Sequence, residues 1–252
     1  MDRGGCMTQK DARIALVTGA SRRIGAAIAR NLAAAGWRVA IHYRHSAEEA
    51  ELLAAELRKM SGGAAALRAD LMQMEDVVSL VPRCCEVLGP PALLVNNASE
   101  FQCDSLSSLT PESWSTHLDV NLKAPVFLAR DLARHIPDGV QGNVINIVDQ
   151  RAWRPTPEFF TYTLSKTALW TATKMMAQAL APRVRVNAIA PGPVLPSVYQ
   201  KPEDFEAEWQ ATLLKRPTGT HEIAAAVRYI LDAPSMTGQM IGLDNGQHLT
   251  WQ

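Results

Sequence analysis

The sequence predicts an α/β fold: a single doubly wound parallel sheet of about seven strands flanked by helices. Three observations lead there. Short apolar runs alternate with amphipathic helical patterns from residue 13 onward, as expected for parallel strands joined by crossover helices. A glycine-bearing turn joins the first run to the first helical pattern. Neither an internal repeat nor a low-complexity linker divides the chain.

"RIALVT" (13–18) reads as the first strand, after which Ile24, Ile28, Leu32 and Ala35 recur at helical spacing and Gly36 supplies a stop. "RVAIHY" (38–43) is the second strand. The helix after it places Ala50, Leu53, Leu57 and Met60 on one apolar face before the "SGG" break. Further strands are expected near 64–69, 92–96, 143–148, 184–190 and 239–243, with the longest helices at 121–136 and 161–181 and a last helix near 220–232. The proline-rich, partly amphipathic segment 191–217 interrupts this rhythm. It suits a flap over a site or an ordinary surface excursion. In such a sheet, ligands sit at the carboxyl ends of the strands.

Composition narrows the function classes. The 252 residues are 47% hydrophobic, ample for one core, so 13–252 is read as a single domain behind a polar, disordered lead-in at 1–12. That lead-in contains a second possible start at Met7. Lysine plus arginine number 25 against 25 aspartate plus glutamate, which leaves no global field for nucleic acid or anionic lipid. No apolar run approaches the roughly 18 residues of a membrane span. Cys6, Cys84, Cys85 and Cys103 lack metal-ligand spacing, so no metal is expected and a reducing cytoplasm is the simplest setting. Cys84 and Cys85 are adjacent in a predicted helix and read as packing or surface residues. Neither His42 nor His117 has a ligand pattern around it.

In "TGASRRIG" (18–25), Gly19 and Gly25 flank a tight turn that aims backbone N–H groups and the positive end of a helix dipole at a pyrophosphate. A tight turn with no ligand has the same spacing. The second strand ends in "HYRHS", so Arg44, His45 and Ser46 stand where an acidic residue commonly binds a ribose 2′-hydroxyl. That favours a 2′-phosphate and hence NADPH, with Arg22 reaching the same group, although a solvated Arg44 fits as well. Asp70 in "RADL" either accepts from an adenine amino group or caps a helix. Tyr162 and Lys166 in "YTLSK" lie four apart on one helix face, where an ammonium lowers the pKa of a phenol and eases proton transfer near neutral pH.

The glycine turn, "NNAS" at 96–99, Asn121 in "DVNLKAP", Tyr162 with Lys166, and "RVNAIAPGP" at 185–193 follow one another in the order and spacing of the short-chain dehydrogenase/reductase family. The resemblance covers nearly the whole chain from about residue 12 and implies a Rossmann-like sheet. It implies Tyr162 as proton donor and Lys166 as the nicotinamide-ribose ligand that depresses the Tyr162 pKa. Asn121 would hold a relay water, while Asn97 and the Pro191-Gly192 turn shape the cofactor pocket. Around the cofactor it also places Gly19, Arg22, Arg23, Ile24 and Gly25, then Tyr43 through Ser46, Asp70 and Leu71, Ala98 and Ser99, and Val194.

Three departures narrow the resemblance. Arg23 replaces a usual glycine, "NNAS" replaces "NNAG", and Asp149 in "NIVDQRAW" stands where a serine normally polarises a substrate carbonyl. With "HYRHSAEEA" and "GLDNGQHL", these are similar to the pteridine reductase branch, including bacterial dihydromonapterin and dihydrofolate reductases. By that likeness Phe101 stacks on the pterin, and Arg23 and Ser99 contact pterin or cofactor phosphate. Asp149 then shares a proton with Tyr162 during C=N reduction. An ionised aspartate has no proton to offer a ketone oxygen but suits a pterin's N–H groups; alternatively, Asp149 caps the following loop.

The expected activity is NADPH-dependent reduction of a dihydropterin to the tetrahydropterin, with Asp149, Tyr162, Lys166 and Asn121 as catalytic residues. A carbonyl or 3-oxoacyl reductase of the same family is the alternative enzyme. A non-catalytic NADP-binding sensor is the alternative class, disfavoured because it has no need of Asn121, Tyr162 and Lys166 together. Family members are usually tetramers, so a homotetramer joined through the two long helices and the last strand is expected. Trp153 and Trp209 fall in segments near the expected substrate mouth, although they and Trp170 are more often core or interface.

Overall fold

The computed structural model describes residues 13–197 and 200–250, so the lead-in expected at 1–12 and part of the 191–217 segment lie outside the described residues. The strands are β1 (Ile14–Val17), β2 (Arg38–Tyr43), β3 (Ala64–Arg68), β4 (Leu93–Asn96), β5 (Gly142–Ile147), β6 (Val184–Pro191) and β7 (Met240–Leu243). They pair in parallel in the order β3-β2-β1-β4-β5-β6-β7. The order reverses between β1 and β4, which opens a crevice beyond their carboxyl ends.

Among the described residues the α-helices are α1 (Arg23–Ala34), α2 (Ala47–Ser61), α3 (Met74–Val87), α4 (Pro111–Leu118), α5 (Ala124–His135), α6 (Phe160–Leu180), α7 (Pro202–Gln210) and α8 (Thr220–Asp232). Ile28, Leu32, Leu53, Leu57, Val227 and Ile230 pack one face of the sheet; Leu80, Val81, Leu128, Leu132 and Val144 pack the other. At roughly 2 kcal/mol for each fully buried aliphatic side chain, these two layers supply the apolar drive that the strand and helix patterns encode.

Two expectations need correction. Met60 is 45% exposed, because α2 ends within one residue of it and turns away at Gly62. The helix expected at 121–136 starts earlier: α4 runs through a π-helical turn, Asp119–Lys123, into α5. The segment 191–217 contains α7, which buries none of its residues. Cys84 is fully buried, with its thiol pKa pushed up to about 12 by that burial. Cys85 is only partly buried.

His42, without a ligand pattern in the sequence, is nonetheless fixed at both ring nitrogens. It lies buried on β2, where Nδ1 accepts from Gly19 N–H at 3.0 Å and Nε2 faces the Ala69 carbonyl at 3.1 Å. A backbone N–H only donates, so Nδ1 is unprotonated and Nε2 carries the proton. Burial lowers the pKa from 6.5 to about 4. The unfolded chain therefore binds the extra proton first as pH falls. The stabilisation is complete above 6.5 and fades toward about 4, a change on the order of 3 kcal/mol. His42→Gln removes this component. Its stability deficit against the native chain, from urea midpoints at about pH 7.5 and about pH 4.5, is expected to narrow at the acid end. A deficit that stays constant with pH refutes the assignment.

Candidate active site

The crevice is built by welding the end of β1 to the end of β4. Thr18 Oγ1 accepts from both Asn97 N–H (2.9 Å) and Ala98 N–H (3.0 Å), while Asn97 Nδ2 donates to the carbonyls of Thr18 and Gly19 at 2.9 and 3.0 Å. The approach is close enough to require glycine. Gly19 has φ +60°, and a Cβ there would lie 2.9 Å from Ala98 Cα; at Gly25 it would lie 2.4 Å from the Gly19 carbonyl oxygen. Arg23, the first residue of α1, has φ +56°. The departure from glycine therefore changes the side chain while retaining the left-handed backbone.

On one side of this weld is a cavity of about 410 Å³. Gly19, Arg22, Arg23, Ile24 and Gly25 line it from the first turn, and Tyr43, Arg44, His45 and Ser46 from the end of β2. Asp70, Leu71, Asn97, Ala98 and Ser99 complete the wall drawn from the sequence. The amino end of α1 opens there with no acidic residue in its first turn, which suits an anion.

The charged groups are more committed than the sequence suggests. Arg44 bonds Glu100 at 3.0 Å and forms an ion pair with Asp70 at 3.2 Å without hydrogen-bond alignment. Arg22 pairs loosely with Glu49 at 3.6 Å. Asp70 Oδ1 accepts from Met72 N–H at 3.1 Å, so it caps a turn ahead of α3; Gln73 occupies the helix N-cap.

Across the weld, a second cavity of about 380 Å³ is lined by Arg23, Ser99, Phe101, Asp149, Tyr162 and Lys166, with Pro191, Gly192 and Val194 on the β6 side. The Tyr162 hydroxyl donates to Asp149 Oδ2 at 2.8 Å, while Asp149 Oδ1 accepts from Arg151 N–H at 2.8 Å. The loop cap and the tyrosine partner, posed as alternatives for Asp149, are both present, one oxygen each. Desolvation raises the Asp149 carboxyl above its usual range, against the pull of Arg151 and Lys166.

The expected depression of the Tyr162 pKa is overturned. Burial, and then the Asp149 charge, hold its phenol well above 10. Lys166 Nζ donates instead to the Ile147 carbonyl at 2.9 Å and lies 5.7 Å from the phenol ring centroid, its own pKa lowered to about 8 by burial.

Asn121 lies behind the cavity wall rather than in it. It is fully buried in the π-helical turn, accepts from Glu100 N–H at 2.9 Å, and donates to the Glu100 carbonyl and Ser165 Oγ at 3.0 and 3.1 Å. Both polar ends of the amide are thereby engaged within the protein, and the side chain acts as a backbone clamp.

Phe101 meets the edge of Tyr162 with ring centroids 4.6 Å apart, but one of its faces already stacks on Phe159 at 4.5 Å and 6°. Phe159 was missed in sequence because it sits in a left-handed N-cap position, φ +54°, outside any periodic pattern. Phe101, Phe159, Arg151, Asp204 and Glu208 also line an outer cavity of about 700 Å³. The Arg151 guanidinium lies 4.9 Å from the Phe159 ring centroid. Trp153 packs against His248 at 4.8 Å rather than on the reacting groups.

Comparison with known proteins agrees with this arrangement. The short chain dehydrogenase family matches residues 13–207. The chain is 48% identical to FolM alternative dihydrofolate reductase 1 from Brucella canis, with a TM-score of 0.91 over 97% of this chain and 98% of that one. For the Brucella suis protein of the same name the values are 49%, 0.93, 96% and 97%; both structures are complexes with NADP. A 3-oxoacyl-[acyl-carrier-protein] reductase of Synechocystis sp. is 31% identical over 246 residues, covering 95% of this chain and 98% of that protein. With its motifs assembled around one crevice and the family matched across most of its length, the chain belongs to the short-chain dehydrogenase/reductase family.

Proposed function

We propose that this protein is an NADPH-dependent reductase of a dihydropterin C=N bond. The carrying observation is the Tyr162–Asp149 hydrogen bond at 2.8 Å beside the Phe101–Phe159 stack. A paired proton source and a flat aromatic surface meet in one cavity, as a planar, N–H-rich substrate requires.

The residues present fit the cofactor. The cradle between Gly19, Gly25 and Ala98 has no room for a Cβ, α1 directs its amino end into it, and Arg22, Arg44 and His45 surround the β2 end where a 2′-phosphate belongs. When bound, NADPH supplies the hydride; the chain supplies binding, orientation and the proton. The Tyr162 hydroxyl, oriented by its hydrogen bond to Asp149 Oδ2, delivers its proton to the substrate nitrogen as the adjacent carbon is reduced. Lys166, fixed by Ile147, holds the nicotinamide ribose, and Asn121 and Ser165 keep the Glu100 backbone in place. Arg23 and Ser99 contact pterin or cofactor phosphate. The remaining Phe101 surface receives the pterin ring.

One observation favours a carbonyl reductase as the second reading. A raised Asp149 pKa allows a protonated carboxyl to polarise a ketone oxygen as the usual serine does. The proposed assembly is a homotetramer through α5, α6 and β7, supported by Leu164 and Met175, which stand 40% and 63% exposed on α6. No helix among the described residues is long and apolar enough to cross a membrane, and the proposed setting is the cytoplasm.

Turnover of 7,8-dihydrobiopterin or dihydromonapterin with NADPH, set against small ketones, decides between the two substrates; ketone turnover without pterin turnover rejects the pterin reading. Tyr162→Phe is expected to lower kcat by at least about a hundredfold with NADPH affinity retained, and full activity would remove Tyr162 from the mechanism.

Glu100→Gln takes one carboxylate from Arg44. A partly exposed pair of this kind is worth up to about 1 kcal/mol, so NADPH should bind about three- to fivefold more tightly at low salt by nicotinamide fluorescence, and NADH should change little. Equal effects on both cofactors contradict the Arg44 assignment. Arg23→Gly relieves a left-handed backbone costing roughly 1–2 kcal/mol, offset in part by the greater chain entropy of glycine. The expected result is a Tm at or above native together with a raised pterin KM. A lower Tm, or an unchanged KM, contradicts it.

A further inference from the structure

His117 takes no part in the proton transfer proposed above, yet it is fully buried between the reacting helix and the Phe101 segment. Its Nε2 accepts from Gln102 N–H at 3.1 Å. Nε2 is therefore unprotonated, and the single proton of the neutral ring sits on Nδ1, 2.6 Å from Thr161 Oγ1. The Thr161 hydroxyl donates in turn to Asp104 Oδ2. Asp104 also accepts from Thr161 N–H at 3.0 Å and from Ser113 Oγ at 3.2 Å, and its carbonyl takes Phe160 N–H at 3.2 Å. The continuous chain from Gln102 N–H through His117 and Thr161 to Asp104 thus ties residues 102–104 to the first turn of α6, which carries Tyr162.

The attachment points make the purpose specific. Asn121 grips the Glu100 backbone through two hydrogen bonds and His117 grips Gln102, so the residue between them is held from both sides. That residue is Phe101, whose ring meets Tyr162 at 4.6 Å and 79°. The His117 ring itself lies edge-on to Tyr162 at 6.1 Å. Burial lowers the His117 pKa, against the opposing pull of Asp104, Glu100 and the Ser113 backbone, with Lys166 adding to the lowering, in keeping with the acceptor role that the Gln102 N–H gives Nε2.

We propose that His117 is a positioning residue for substrate binding: its two ring nitrogens hold Phe101 in register with Tyr162 by linking the Gln102 backbone to Thr161. The proposal rests on Phe101 and Tyr162 forming the substrate site, but the clamp has readouts that need no substrate.

The test compares two substitutions that each keep one half of the clamp. His117→Gln places an acceptor near the position of Nε2 and retains the Gln102 contact. His117→Asn retains a donor near Nδ1 for Thr161 but is too short to reach Gln102. Hydrogen–deuterium exchange of the peptide spanning 100–104 is expected to rise about tenfold in His117→Asn and to stay near native in His117→Gln, as one lost backbone contact predicts. The pterin KM follows the same order, with kcat and NADPH affinity altered by less than about threefold. Equal exchange in both variants, or a fall in kcat as large as the rise in KM, overturns the proposal. If exchange separates the variants while the native protein reduces no pterin, the clamp stands and the substrate reading falls. Side-chain ¹⁵N spectra of the native protein give a check free of mutation: His117 carries its proton on Nδ1 and His42 on Nε2, and a His117 proton on Nε2 overturns the clamp.

Discussion

Everything at the carboxyl edge of the sheet depends on how closely the first turn can approach the end of β4. Four hydrogen bonds from Thr18 and Asn97 draw the two strand ends together. Glycines at 19 and 25 let the backbones meet at distances a Cβ would forbid. With the weld closed, one cavity lies toward β2 and β3, where the arginines are, and the other toward β5 and β6, where Asp149 and Gly192 emerge. His42 reinforces the weld from β2 by taking the Gly19 N–H. Both cavities are thereby built from one close contact.

What the sequence revealed and what it hid follow from the range of the interactions. Strands and helices are written in local periodicity, so seven strands and the α1 and α2 faces were legible from residues such as Ile28, Leu32 and Leu57, which the structure buries completely. The turn glycines and the Tyr162/Lys166 spacing were legible for the same reason. The bonds that arm or brace the site reach far along the chain. Gly19 meets His42 across 23 residues, His117 meets Thr161 across 44, and Asn96 meets Asn146 across 50 before Asn146 passes on to Thr173. No spacing rule marks such partners. The direction of the Tyr162 shift was misread for a related reason: the ammonium four residues away is directed at the Ile147 carbonyl, while the carboxylate thirteen residues away takes the phenol.

The Asp149 substitution reorganises how a proton is held. A serine hydroxyl beside a tyrosine offers a second donor to an electrophilic oxygen, whereas a carboxylate is an acceptor and stabilises the tyrosine's own proton. The Tyr162 phenol accordingly rises, and the Asp149 carboxyl rises with it because both are desolvated. The phenol proton is held through the 2.8 Å bond to the Asp149 carboxylate until a stronger base forms. The nitrogen of a C=N bond becomes such a base as its adjacent carbon is reduced. The same pair is poorly matched to a substrate that must be polarised before it can be reduced.

Arg23 brings these two ends of the crevice under one constraint. Its left-handed backbone is the conformation the turn needs for close approach, and the strain of carrying a side chain there is tolerated because that side chain spans the crevice. The guanidinium donates to the Leu195 carbonyl at 3.1 Å, a link across 172 residues between the phosphate-side turn and the segment beyond β6. A glycine would keep the turn and lose the link. The position consequently joins two features of different kinds: a left-handed backbone in the turn, and a cationic side chain that lines both cavities at once.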